Sequence, residues 1–270
     1  MQPKDEIAAI AKRIREEKGF VAPPLDAAGL VVAYQLSLPE EPLEEILASL
    51  GLDQQEIAKV DAMLDLQGSS VYVREGMHDR KKSWGYAHEL GHLALPWHRD
   101  LLYWCPILRL PPRVQKQFER EADLFAAEVF FHGGMFIEEA LDLPFGLEAP
   151  KTLANDRYDV SLHAAFMRYA EENPRSCCLL VFRPILLDEP AGQYDLELLY
   201  YVRSSRFSGH IPPKQVCHAD TEVVPLLTGE APLGVVEHEV VLGRDNPQVF
   251  RANSFYNQYH LFTLIWGKHN

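Results

Sequence analysis

The stretch Trp84 to His98, WGYAHELGHLALPWH, sets three histidines and a glutamate at spacings that suit a metal ion. His88, Glu89 and His92 read as H-E-x-x-H. On a helix, positions i and i+4 lie one turn apart on the same face, so both imidazoles can reach one ion. Glu89 is rotated by roughly 100° and is left to act on water as a base. A catalytic zinc site takes three protein ligands and keeps a fourth position open, and two groups compete to be the third. His98 follows His92 by six residues, as in H-E-x-x-H-x-x-G-x-x-H sites. Here the glycine position is Leu95, which disfavours the positive-φ turn, and Pro96 comes next. The other candidate lies in VQKQFEREADLFAAEVFF, where Glu119 and Asp123 are again i and i+4, at the edge of a stripe of Val114, Phe118, Ala122, Phe125, Ala126 and Val129. Carboxylates are costly to bury unless paired or bound to metal. Glu119 as ligand, with Asp123 accepting the second N–H of a ligand histidine, accounts for both acids. The expected ligands are therefore His88, His92 and Glu119, with Asp123 behind one of them and His98 as the alternative third ligand. Glu121 and Glu128 are expected on the wet face. Tyr86, Tyr103 and His132 are the candidates for stabilising an oxyanion, and sequence does not choose among them.

The elements that must position these groups follow from the patterning. Ser83 is expected to cap the H-E-x-x-H helix and Pro96 to stop it. Gly91 costs a helix about 1 kcal/mol, which implies close packing at that point. Upstream, SSVYVREG (69–76) has strand composition, with an edge near Val71 to Val73 suited to pairing with an extended peptide, and DRKK (79–82) reads as a solvated loop. Lys4 to Lys18 puts Ile7, Ile10, Ala11 and Ile14 on one helical stripe and stops at Gly19. Asp26 is a candidate N-cap for a short apolar helix, Asp53 to Leu66 reads as another helix, and so does Arg113 to Phe131. A pair of helices lies within LEAPKTLANDRYDVSLHAAFMRYAEEN (147–173). From Ser176 the grammar changes to β runs: CCLLVFRPILL, YDLELLYYVRSSRF, GVVEHEVVLG and QYHLFTLIWG. The expected fold class is α+β, divided at 1–145, a helical, helix-turn-helix-like segment at 146–174, and a C-terminal antiparallel β domain at 175–270.

Composition bounds the function. The 270 residues are 47 % hydrophobic, enough for a full core, and carry a formal charge of −13. That charge argues against a nucleic-acid or anionic-membrane surface. Between Glu148 and Arg175 five acids (Glu148, Asp156, Asp159, Glu171, Glu172) face four bases (Lys151, Arg157, Arg168, Arg175), so direct DNA binding by the helical pair is not expected. No apolar run approaches the length of a membrane span and acids interrupt the N-terminus, so the expected location is cytoplasmic. Cys105, Cys177, Cys178 and Cys217 show no C-x-x-C spacing and read as reduced thiols.

AHELGH, followed about thirty residues later by E-x-x-A-D-x-F-A (Glu119, Ala122, Asp123, Phe125, Ala126), resembles the ImmA/IrrE family of metallo-endopeptidases. PPLD near the start, the strand before RKKSWGYAHE and LANDRYDVSLHAAFMRY extend the likeness over roughly residues 1–172. EVFFHGGMF departs from the Leu-Leu-Met-Pro-like ending usual there. The resemblance implies a zincin-like, gluzincin-type metallopeptidase domain, with Zn²⁺ or Mn²⁺ held by His88 and His92 and with Glu89 as catalytic base. It implies a repressor-type protein substrate whose cleavage switches on a stress or mobile-element response. It also offers a GAF-like sensor as the pattern for the β domain, with a small-molecule or protein effector. The competing expectation is a metal-containing ligand sensor or protein-binding regulator without proteolysis.

Overall fold

The computed structural model describes residues 4–104, 111–188, 193–211, 216–219, 221–229, 234–242 and 248–267, apart from the side chains of 101–104 and 242. The chain is α+β, with an antiparallel sheet in its C-terminal part. It divides into two compact units: Met1–Phe136 with Asp156–Ser161, and Ile137–Asn155 with Leu162–Asn270. The stretch 146–174 is thus shared between them. Among the described residues, no helix is long and apolar enough to cross a membrane.

The first unit opens with α1 (Lys4–Lys18), which buries Ile7, Ile10, Ala11 and Ile14. It ends where Gly19 takes a φ of 83°, a conformation glycine adopts at little cost. Helix α2 (Ala27–Ala33) is capped by Asp26, whose carboxylate accepts the Gly29 N–H at 2.8 Å. After α3 (Leu43–Ser49) comes α4 (Gln54–Ile57), only four residues long. A helix running on to Leu66 is not formed. A capping box between Asp53 and Glu56 starts it, but Arg74 donates to the carbonyls of Ile57 and Val60 and ends it. The following residues become β1 (Ala62–Asp65), antiparallel to β2 (Ser70–Val73). The far edge of β2 is already used near its start: Val71 N–H donates to Ser37 O at 3.0 Å, and Ser37 N–H to Ser69 O at 2.8 Å.

Helix α5 (Asp79–Ala94) starts earlier than a Ser83 cap requires, because the His78 ring accepts the Arg80 N–H at 3.2 Å. DRKK is therefore its first turn rather than a loop. Arg80 pairs with Asp159 and Lys81 with Asp61, both at 2.8 Å. Leu95, at φ −80° and ψ 113°, breaks the helix without a left-handed turn, and Pro96 begins α6 (Pro96–Trp104). Helix α7 (Pro112–Phe130) packs on α5, and α1 packs on α7. Gly91 is what lets α5 and α7 come so close, since a Cβ there would stand 3.3 Å from the Ala122 backbone.

The boundary between the units falls within α8 (Met135–Leu141). Helices α9 (Glu148–Leu153) and α10 (Leu162–Glu172) belong to the second unit, while the π turn Ala154–Tyr158 between them passes into the stretch assigned to the first. The sheet comprises β3 (Cys177–Asp188), β4 (Gln193–Arg203), β5 (Val216–His218), β6 (Val236–Leu242), β7 (Gln248–Tyr256) and β8 (Leu261–Gly267), in the order β5-β4-β3-β8-β7-β6. Alternation along β3 sends Cys178, Leu180 and Phe182 to an apolar cluster with Leu196, Leu198 and Phe250. On α10, Phe166 meets Phe255 and Phe262 edge-on, with ring centroids 5.7 and 5.2 Å away. Strand β7 escapes the sequence pattern because Arg251, Asn253 and Ser254 interrupt it. Two of those polar groups are satisfied inside the unit: Asn253 Oδ1 accepts Leu147 N–H at 3.3 Å, and Ser254 Oγ lies 2.7 Å from Thr263 Oγ1. Cys177, Cys178 and Cys217 are free thiols, and Cys105 lies outside the described residues.

Candidate metal centre

The α5–α7 crossing gathers His88, His92 and Glu119 so that one donor atom from each lies within 4.8 Å of the others. His88 Nε2 is 3.1 Å from Glu119 Oε2 and 3.3 Å from His92 Nε2, and His92 Nε2 is 3.9 Å from Glu119 Oε1. Two ligand atoms at the usual zinc distance and a tetrahedral angle stand roughly 3.3 Å apart, so the spacing fits one ion. This group could hold a metal.

The charges around the cluster point the same way. Asp123 Oδ1 lies 2.9 Å from His88 Nδ1, and Trp84 Nε1–H donates to the same oxygen at 3.4 Å. A carboxylate has no hydrogen to give, so His88 Nδ1 is the donor and its Nε2 faces the cluster. Burial opposes a charge on His88, but hydrogen bonds to Asp123 and Glu119, helped by Glu89, outweigh it and raise its pKa to about 10. Without a metal these carboxylates favour a protonated His88, and to act as a ligand that ring must give up its Nε2 proton. Burial above all, with His88 and His98 adding to it, lowers the pKa of His92 to about 2 and keeps that ring neutral, as a ligand must be. Glu89 is buried between the two histidines in sequence. Burial and the charge of Glu119 raise its pKa to about 7, against the pull of His88 and a hydrogen bond from the Leu64 backbone.

His98 does not join the three donors. Its ring is fully buried and stacked on Phe118 at 4.0 Å. Its Nδ1 lies 3.1 Å from His92 Nδ1, the nitrogen that faces away from the cluster, and its Nε2 lies 3.0 Å from Glu121 Oε2. Glu121 and Glu128, expected on the wet face, are both buried, with 3 % and 4 % of their surface exposed. Glu121 is tolerated there because Trp97 Nε1–H (2.7 Å), Gln117 Nε2 (2.9 Å) and His98 all donate to it. Burial pushes its pKa up, and those three hydrogen bonds more than reverse the push, so it stays ionised. The signal was present in the sequence. Phe118, Glu121, Phe125 and Glu128 are spaced by three, four and three residues, the spacing of a buried helical seam.

Of the oxyanion candidates, His132 is buried with its Nδ1 2.7 Å from Arg15 Nη1, apart from the donor cluster. Tyr86 is partly buried on α5, and the side chain of Tyr103 lies outside the described residues.

No family model matches the chain, and no curated protein matches it. A solved structure of a Mycobacterium tuberculosis transcriptional regulator is similar in fold. It has 13 % sequence identity and a TM-score of 0.56, over 96 % of this chain and 74 % of that one.

Proposed function

We propose that the chain is a zinc-dependent endopeptidase of the zincin-like type, akin to the ImmA/IrrE family, that cuts a repressor-type protein as a regulatory switch. The observation that carries this reading is the convergence of His88, His92 and Glu119, with Glu89 buried beside them and its pKa raised to about 7. His88, His92 and Glu119 would hold the ion, which would supply Lewis acidity to a scissile carbonyl, with Mn²⁺ the expected substitute for Zn²⁺. The Glu89 carboxylate takes a proton from the attacking water and passes it to the leaving amine. A proton affinity near working pH suits both transfers. Asp123 fixes the His88 ring by holding its Nδ1–H. The β unit is the place for a small-molecule or protein effector.

The test is metal analysis together with a cleavage assay. Purified protein should take up about one equivalent of Zn²⁺, and Glu89→Gln should keep the metal and lose cleavage of candidate repressors. Failure to bind metal after reconstitution, or an active Glu89→Gln, overturns the proposal. The name of the similar structure favours a second reading, a transcriptional regulator in which the metal is structural. A wild-type protein that holds zinc and cuts none of the candidates supports that reading.

A further inference from the structure

A neutral histidine carries hydrogen on only one of its two ring nitrogens. For His92, Nε2 faces His88 and Glu119, while Nδ1 faces His98. The position of that hydrogen decides whether His92 offers a lone pair to the cluster, and it answers to His98 on the far side as well as to His88 Nε2, 3.3 Å away on the near side. The Glu121 carboxylate has no hydrogen to donate, so His98 Nε2, 3.0 Å from Oε2, is the donor. A neutral His98 is then left with a lone pair on Nδ1. With His98 neutral, the 3.1 Å contact between His98 Nδ1 and His92 Nδ1 is a hydrogen bond in which His92 donates, whereas a doubly protonated His98 would reverse it. We infer that Glu121 and His98 form a relay that holds the hydrogen of His92 on Nδ1 and keeps its Nε2 free for a metal ion. The role in metal binding rests on the centre proposed above.

The parts of this relay are firmly held. His98 is 0 % exposed and lies flat on Phe118, with an angle of 7° between the rings. Glu121 is fixed in place by Trp97 and Gln117. The opposite arrangement, with hydrogen on His98 Nδ1, would set a bare ring nitrogen against a buried carboxylate, two acceptors facing each other without a proton between them. The two ligand histidines are thus oriented differently. His88 is held directly by Asp123, whereas His92 is held through an intervening imidazole. Glu121 and His98 are positioning residues, since neither lies among the three donors.

Long-range ¹H–¹⁵N correlation spectra of the metal-free, ¹⁵N-histidine-labelled protein read the tautomer of each ring. His92 should be the Nδ1–H form. Glu121→Gln keeps an oxygen for His98 and can turn its amide NH₂ toward Gln117, so it should preserve that tautomer and hold Zn²⁺ affinity within about threefold. Glu121→Met removes the acceptor at similar volume. It should give mixed tautomers and weaken Zn²⁺ binding by roughly ten- to a hundredfold in chelator competition, with folding checked by circular dichroism. An Nε2–H form of His92 in the wild type, or a folded Glu121→Met with unchanged tautomer and affinity, overturns the relay. Should Glu121→Met fail to fold, the wild-type His98 ring decides: the relay requires it neutral with hydrogen on Nε2, and an Nδ1–H or doubly protonated His98 overturns it. A wild type that shows the Nδ1–H form but takes up no Zn²⁺ rejects the metal centre and leaves the relay standing.

Discussion

Gly91 of α5 lies against Ala122 of α7 so closely that a Cβ on Gly91 would stand 3.3 Å from the Ala122 Cα and carbonyl oxygen, and 3.1 Å from the Phe125 ring. Alanine would gain about 1 kcal/mol of helix propensity at this position, while overpacking a tight contact costs about 1–3 kcal/mol. The obstructing atoms are helix backbone and a buried ring, neither of which yields easily. Gly91→Ala should therefore lower stability in urea unfolding and weaken Zn²⁺ binding, since α7 carries Glu119. A rise in stability would show that the two helices can separate freely.

Removing a donor should register directly in metal affinity. Glu119→Ala is expected to weaken Zn²⁺ binding at least tenfold. Asp123→Ala, which leaves His88 Nδ1–H without its acceptor, should cost roughly ten- to a hundredfold, and Asp123→Asn less, because an amide oxygen still accepts. Equal losses for the Asn and Ala variants would mean that the charge of Asp123, rather than its hydrogen bond, is what matters.

The Glu89 carboxyl makes metal-free stability depend on pH. Its ordinary pKa of 4.5 is raised to about 7 in the fold, chiefly by burial. A raised pKa means that its stabilising contribution is complete below about 4.5 and is lost as pH rises through about 7, a change of up to about 3 kcal/mol. Glu89→Gln cannot lose a proton. Urea melts of the metal-free proteins should show the variant gaining on the wild type between pH 5 and pH 8. Parallel behaviour across that range would rule out a protonated Glu89 in the fold.

Arg74 ties the short α4 to the hairpin, pairing with Glu44 and donating to the Ile57 and Val60 carbonyls. Arg74→Ala should destabilise by about 1–3 kcal/mol, and Arg74→Lys should recover only part of it, because an ammonium cannot reproduce the planar fork. Full recovery by lysine in chemical denaturation would reduce the role of Arg74 to charge alone.

The sequence made the helix carrying His88 and His92 legible because the spacing and the helical period agree. The facing pair Glu119 and Asp123 was legible for the same reason. The α1 stripe and most of the C-terminal strands follow equally local rules. What escaped depended on distant partners. Nothing near Asp53 announces that Arg74 will stop α4 and release Ala62 to Asp65 into a strand. Glu121 lies in the apolar seam by spacing, but its charge read as a surface acid because two of its donors, Trp97 and His98, come from α6, beyond the break at Leu95. Strand β7 was hidden by polar residues whose partners lie on neighbouring elements.

Helix α7 serves both histidines from a single short stretch: Glu119 and Asp123 meet His88, while Glu121 reaches His92 by way of His98. A slip of one residue along the helix would rotate every one of these groups by about 100° and advance it by about 1.5 Å. No contact could then be kept while another was lost. The centre is all-or-none in register, and any sequence change that moves α7 by a residue must rebuild both histidine environments at once.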